Sequence, residues 1–305
     1  MISEELPKTG HSDGVALGAF LLFSLKEHWK DYQKEFRRCQ KKPCEEKVHD
    51  CRIATRRLLS ILMLLEGIVS DKPLQSAQRE LKEPFKSLGR LRDIHTQQIY
   101  LEKLDREFSE ARTYGKVLEE RESHLTKRIR GKLAHGGKGR LGKSIAAIKE
   151  ELRCLIYEEE KEGVFAPGWQ TLRTAYAKVI KCHQAIKPSD IRTLHRTRVA
   201  FKWFRYMMEA LRPMLRGVSG PRLKSMHDYQ TRLGDIQDLE VLLTDVDKFV
   251  RKRDPRDGDW DRFRAELLRH RAALIKRFLA SADELLEFDP CQYSSITTQD
   301  ARRTQ

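Results

Sequence analysis

The sequence predicts an all-α protein built from two similar helical bundles related by a pseudo-twofold axis. Three observations carry that prediction. Apolar residues recur at helical spacing along most of the chain, and no run alternates as a strand does. A pair of short motifs occurs twice, in the same order and at nearly the same separation. Between the copies, residues 161–168 (KEGVFAPG) interrupt the helical pattern, where a duplication requires a joint.

The periodicity places helices at 15–40, 44–68, 74–88, 92–133 and 141–160 in the first half. The second half is expected to form helices at 168–185, 189–211, 221–233, 236–253 and 259–288. Pro43 and Pro188 stand in the turns before two of these, and Ser189 or Asp190 suits an N-cap. Residues 1–13 are expected to be a flexible N-terminus, 14–163 the first helical half, 164–288 the second, and 289–305 a flexible polar tail.

The first motif is Val48-His49-Asp50-Cys51-Arg52-Ile53-Ala54, matched 146 positions later by Leu194-His195-Arg196-Thr197-Arg198-Val199-Ala200. The second is Leu88-Gly89-Arg90-Leu91-Arg92-Asp93, matched 145 positions later by Leu233-Gly234-Asp235-Ile236-Gln237-Asp238. Two matches at almost one offset point to an internal duplication.

Sixty Lys and Arg against 45 Asp and Glu leave the 305-residue chain at +15. Such a surplus repels itself, so a polyanionic partner is expected: nucleic acid, polyphosphate or an acidic membrane surface. The most apolar runs, 15–25 and 58–69, are too short to span a bilayer, and the second contains Glu66. Glu4 and Glu5 stand where a signal peptide needs basic residues, so no membrane partner and a cytoplasmic location are expected. The six cysteines show no metal or redox spacing and read as reduced structural thiols; no metal and no cofactor is expected.

The charge is patterned. His49, Arg52 and Arg56 fall at i, i+3 and i+7, on one helical face. His195, Arg198, Lys202 and Arg205 form the matching stripe. Stacked cations repel by roughly 0.2–0.5 kcal/mol per pair on an exposed helix. Neither stripe has carboxylates at the neighbouring spacings, so the compensating charge is expected from outside the helix. A solvated basic face explains one stripe equally well. It gives no reason for the same register to occur twice.

The pattern His-x-x-Arg-[Ile/Val]-x-x-[Arg/Lys], twice, each copy followed by Leu-Gly-x-x-x-Asp, resembles the CHAD family (conserved histidine α-helical domain). The resemblance spans roughly residues 15–288. It implies two four-helix bundles around a basic central channel, and non-catalytic binding of inorganic polyphosphate. Carried over to this sequence, the binding residues are His49, Arg52, Arg56 and Arg57 in the first copy and His195, Arg198, Lys202 and Arg205 in the second. Lys224 matches the lysine of the next helix, Lys82 is its nearest first-half counterpart with Arg79 and Lys86 as neighbours, and Arg92 matches the arginine before Asp93. The copies differ: Leu59 stands opposite Arg205, and Trp203 opposite Arg57. Association with polyphosphate granules, and binding of other phosphate-rich anions such as pyrophosphate, inositol phosphates or nucleotides, are compatible with the same reading.

Arg forks grip phosphate oxygens in pairs, and Lys supplies movable point charges. Asp93 and Asp238 are expected to orient arginines rather than to act as general bases. The letters Gly137-Lys138-Gly139-Arg140-Leu141-Gly142-Lys143-Ser144 spell a P-loop, but a basic, helix-like segment precedes them where that motif needs a buried strand. The rival reading is a nucleic-acid-binding helical protein. Base readers add exposed aromatics or Asn and Gln, and the stripes offer only Trp203.

Overall fold

The structure, a computed structural model, describes residues 13–135, 138–157, 166–215, 218–252 and 258–292. The expected joint at 161–168 therefore lies mostly outside the described residues, as do residues 1–12 and 293–305. Among the described residues the fold is all-α, with no strand.

The first half contains α1 (Asp13–Lys41), α2 (Glu45–Leu64), α3 (Asp71–Leu101), α4 (Ser109–His135) and α5 (Lys138–Tyr157). The second contains α6 (Ala166–Gln184), α7 (Ile191–Leu211), α8 (Gly220–Val250) and α9 (Trp260–Leu279), then the 3₁₀ helices Ala282–Phe288 and Pro290–Gln292. Local chemistry sets many of the boundaries. Glu45 and Glu46 occupy the first turn of α2, where the helix dipole favours negative charge. Gly67, at φ +76°, lets the chain turn away after α2, which ends at Leu64 and not at 68. Asp190, Ser219 and Asp259 each accept a backbone N–H at the start of α7, α8 and α9.

Each half closes a ring of four elements. In the first, α1 packs on α2, α2 on α3, α3 on α5 and α5 on α1. In the second, α6 packs on α7, α7 on α8, and the 3₁₀ helix Ala282–Phe288 closes the ring between α8 and α6. The remaining helices, α4 and α9, lean on α3 and α8 and touch each other across the halves. Between the rings α2 faces α7, and α3 faces α8.

The halves do not have separate cores. One apolar cluster joins Leu21, Leu58 and Ile61 to Phe201, Phe204 and Tyr229. A second joins Tyr114 and Leu118 of α4 to Leu242 of α8 and Phe263 of α9. Each such side chain, once fully buried, contributes roughly 1.5–3 kcal/mol, so the rings are fixed to one another by core packing.

Further boundaries expected from the sequence are corrected, among them the helix over 92–133, which is interrupted between Leu101 and Ser109. The predicted breaks near Gly89 and Gly234 are absent: α3 and α8 run unbroken for 31 residues each. A mid-helix glycine costs about 1 kcal/mol relative to Ala, which packing on both sides readily outweighs. At Gly89 the reason is steric, since a Cβ there would lie 2.9 Å from Nη1 of Arg52; at Gly234 a Cβ would lie 4.0 Å from Nε of Arg198, an ordinary contact that leaves room for a side chain. A further correction concerns the end of the second half: the helix expected over 259–288 stops at Leu279, and a 3₁₀ helix follows in which Phe288 is buried against Phe201 and Tyr229.

The P-loop letters from Lys138 onward form the first turns of α5, and Ser144 Oγ donates to Ser76 Oγ at 3.0 Å. Gly137 lies outside the described residues. All six cysteines are free thiols. Among the described residues no helix is long and apolar enough to cross a membrane.

Candidate functional site

Helices α2 and α7 pack against each other and carry the two cationic stripes. On α2 the buried face is Val48, Cys51, Thr55, Leu58 and Leu62, which leaves Arg52 and Arg56 on an adjoining face. On α7 the buried face is Thr197, Phe201, Phe204 and Met208, which likewise turns Arg198 and Lys202 aside.

The two stripes meet. Arg52 Nη1 donates to the Phe85 carbonyl at 2.9 Å, and its guanidinium lies 4.5 Å from the Phe85 ring centre. Arg56 reaches across the halves and donates to Tyr206 Oη at 3.3 Å, with its guanidinium 5.6 Å from Phe85. Nε of Arg56 and Nε of Arg198 are buried with no partner.

Electrostatics shows how closely these groups gather. Desolvation, then repulsion from Arg56, Arg198 and Arg52, pushes the Lys202 ammonium down to about 7. Desolvation and Arg56 push Arg52 down to about 10, against an opposing pull from Asp93. Arg198 is lowered by desolvation and partly restored by Asp238. Asp93 and Asp238 stand beside these arginines, yet desolvation raises both carboxyls. Asp93 keeps access to solvent while neighbouring groups desolvate its carboxyl.

The remaining predicted residues are placed less uniformly. His49 is exposed one turn before Arg52, and desolvation, followed by Arg92, lowers its pKa. His195 is exposed in the matching place, with Nδ1 hydrogen-bonded to Gln237 Oε1. Arg92 forms an ion pair with Glu45 at 2.7 Å, so a ligand would have to compete for it. Arg57 is exposed and lies near His28 of α1, away from the Arg52–Arg56 face. Lys82 and Lys224 are exposed on α3 and α8. With both helices unbroken, the Gly89–Gly234 register sets Lys224 opposite Arg79 and sets Lys82 opposite His227.

Arg205 is the clear correction. It is only 5% exposed, paired with Glu209 and donating to Gln230 at 2.9 Å, over the Tyr206 ring. It supports Tyr206 from behind and offers no free fork to a ligand. Arg205→Ala is therefore expected to destabilise the fold by about 3 kcal/mol, because Glu209 loses its partner. Chemical denaturation would read this, and ligand affinity of the folded variant is expected to be unchanged.

Sequence reasoning missed Phe85, the ring that holds Arg52 and Arg56. Its only signal was an aromatic residue one helical turn before Gly89.

Comparisons with known proteins agree with this architecture. The CHAD domain profile matches residues 23–247. The crystal structure of the CHAD domain from the plant Ricinus communis superposes with a TM-score of 0.66 at 17% identity, covering 90% of this chain and 95% of that one. PptA from Streptomyces chartreusis superposes with a TM-score of 0.59 at 14% identity, covering 88% of this chain and 99% of that one. No curated protein matches the chain in sequence. At such identities the structural likeness shows the fold alone, whereas the profile covers most of the chain together with both copies of the histidine motif: the chain belongs to the CHAD domain family.

Proposed function

We propose that this protein binds inorganic polyphosphate in the crevice between α2 and α7 and performs no chemistry on it. The observation that carries the proposal is the meeting of Arg52, Arg56, Arg198 and Lys202, from two helices of two halves, with Asp93 acting on Arg52 and with Asp93, Asp235 and Asp238 acting on Arg198. Repulsion of this size is relieved when an extended anion lies between the stripes. Membership in the CHAD family supports a phosphate-related ligand. A cytoplasmic site of action, including the surface of polyphosphate granules, belongs to the same proposal.

Nucleic acid carries the same backbone charge, so the choice rests on the rings. Single-strand binders offer free aromatic faces for base stacking. Here Phe85 and Tyr206 are covered by the guanidinium groups of Arg52, Arg56 and Arg205, which suits a ligand that is all phosphate. Labelled long-chain polyphosphate titrated in competition with single-stranded DNA at one near-physiological salt concentration tests this. Polyphosphate is expected to bind much the tighter; equal affinities would remove the claimed preference.

Gly89→Ala probes the site without removing a charge. The added methyl displaces the Arg52 guanidinium, while the gain in helix propensity, about 1 kcal/mol, offsets the lost contact. The expected result is near-native thermal stability with weakened polyphosphate binding. Unchanged affinity would mean that Arg52 does not need its present position.

A further inference from the structure

A pocket of about 600 Å³ opens between α3, α4 and α8, with Asp93, which also neighbours Arg52 and Arg198, in its lining. Its size falls within the roughly 300–1,000 Å³ of small-molecule sites. Three features indicate the kind of ligand it suits. Its walls include Ile94, Leu118, Leu125 and Val241, apolar surface that inorganic phosphate cannot use. Its rim carries Arg90, Arg121 and Arg128, all exposed; Arg121 spends one N–H on Tyr114 Oη, and Arg90 and Arg128 make no hydrogen bond or ion pair among the described residues.

The third feature lies on its inner wall. Gln97 is 3% exposed, its Nε2 donates to Asp245 Oδ2 at 3.2 Å across the halves, and its Oε1 is buried with no donor. The carboxylate can only accept, so it fixes which way the amide faces and leaves the oxygen as the orphan. A buried acceptor without a donor costs about 1–3 kcal/mol, and a phosphate oxygen, itself an acceptor, cannot satisfy it. A ligand that satisfies this oxygen brings N–H donors to Gln97, with the Asp245 and Asp93 carboxylates beside it, and fits the pocket best with a flat apolar body for the aliphatic walls and an anionic end for the three arginines.

We propose that this pocket binds a purine nucleotide, with the amino-bearing base between the aliphatic walls at Gln97 and Asp245 and the phosphates at the arginine rim. The proposal does not depend on the polyphosphate reading. Isothermal titration of the full chain with GTP, ATP and inorganic tripolyphosphate, at one salt concentration, tests it. At least one nucleotide is expected to bind about tenfold or more tighter than tripolyphosphate, the free energy of one satisfied hydrogen bond. Val241→Phe fills the pocket without changing charge; it is expected to abolish nucleotide binding and leave long-chain polyphosphate affinity unchanged. Should that variant misfold, the exposed double change Arg90→Ala with Arg128→Ala is expected to weaken the nucleotide by about tenfold or more. Equal binding of tripolyphosphate and both nucleotides, no nucleotide binding at all, or nucleotide binding indifferent to these substitutions would overturn the proposal. Nucleotide binding in a protein that ignores polyphosphate would sink only the earlier reading.

Discussion

Replacing Arg52, Arg56 and Arg198 with Gln and Lys202 with Met in one variant is expected to abolish polyphosphate binding while preserving helicity. At about 1.5 kcal/mol per charged hydrogen bond, four lost contacts weaken binding by about 6 kcal/mol, or roughly four orders of magnitude. The salt dependence should flatten as well. Taking the single-strand value, each phosphate neutralised contributes about −0.7 to the slope of log K against log salt, so the slope is expected to shrink by about 3. The fold does not need these four charges. They lie on faces beside the core, where desolvation and then their mutual repulsion hold Lys202 near 7. Circular dichroism should show unchanged helix content; retained affinity in this variant would place the binding site elsewhere.

The second large effect is a pH dependence with a definite sign. In the free protein Lys202 titrates at about 7, depressed first by desolvation and then by Arg56, Arg198 and Arg52. Bound phosphate oxygens raise that pKa, so binding takes up a proton whenever the free ammonium is deprotonated. Affinity is therefore highest below pH 7. It falls as pH rises from 7 toward the bound-state pKa, by up to about tenfold per unit for one proton. Stability of the free protein runs the other way. The unfolded lysine, with a pKa near 10.4, holds more protons than the folded one between pH 7 and that value, so Lys202 makes stability rise with pH over this window. Lys202→Met is expected to flatten both trends, and titration calorimetry in two buffers of different ionisation heat would count the proton. A pH-independent affinity between 7 and 9 in the native protein would show that Lys202 does not meet the ligand.

Much of the site was legible because helical spacing and duplication are properties of the linear chain. His49, Arg52 and Arg56 share a face whatever surrounds them, and the match with His195, Arg198 and Lys202 marks both stripes at once. Spacing cannot say what a side chain meets. Arg205 continues the stripe by arithmetic, but Glu209 and Gln230 claim it in the interior. Arg92 carries the motif's charge, but Glu45 of α2 already pairs with it. Gly89 looks like a helix end to local propensity, because the arginine that needs its missing Cβ lies 37 residues earlier in the chain.

Helical periodicity and the repeated motif pair are visible in the linear chain, so the all-α class and the two cationic stripes are legible without a third dimension. The packing of α2 on α7, the partners of each arginine and the apolar-walled pocket between α3, α4 and α8 come from tertiary contacts alone. The physical reason is range. Helix formation and facing depend on residues three or four apart, whereas desolvation, ion pairing and cavity shape depend on groups brought together from opposite ends of the chain.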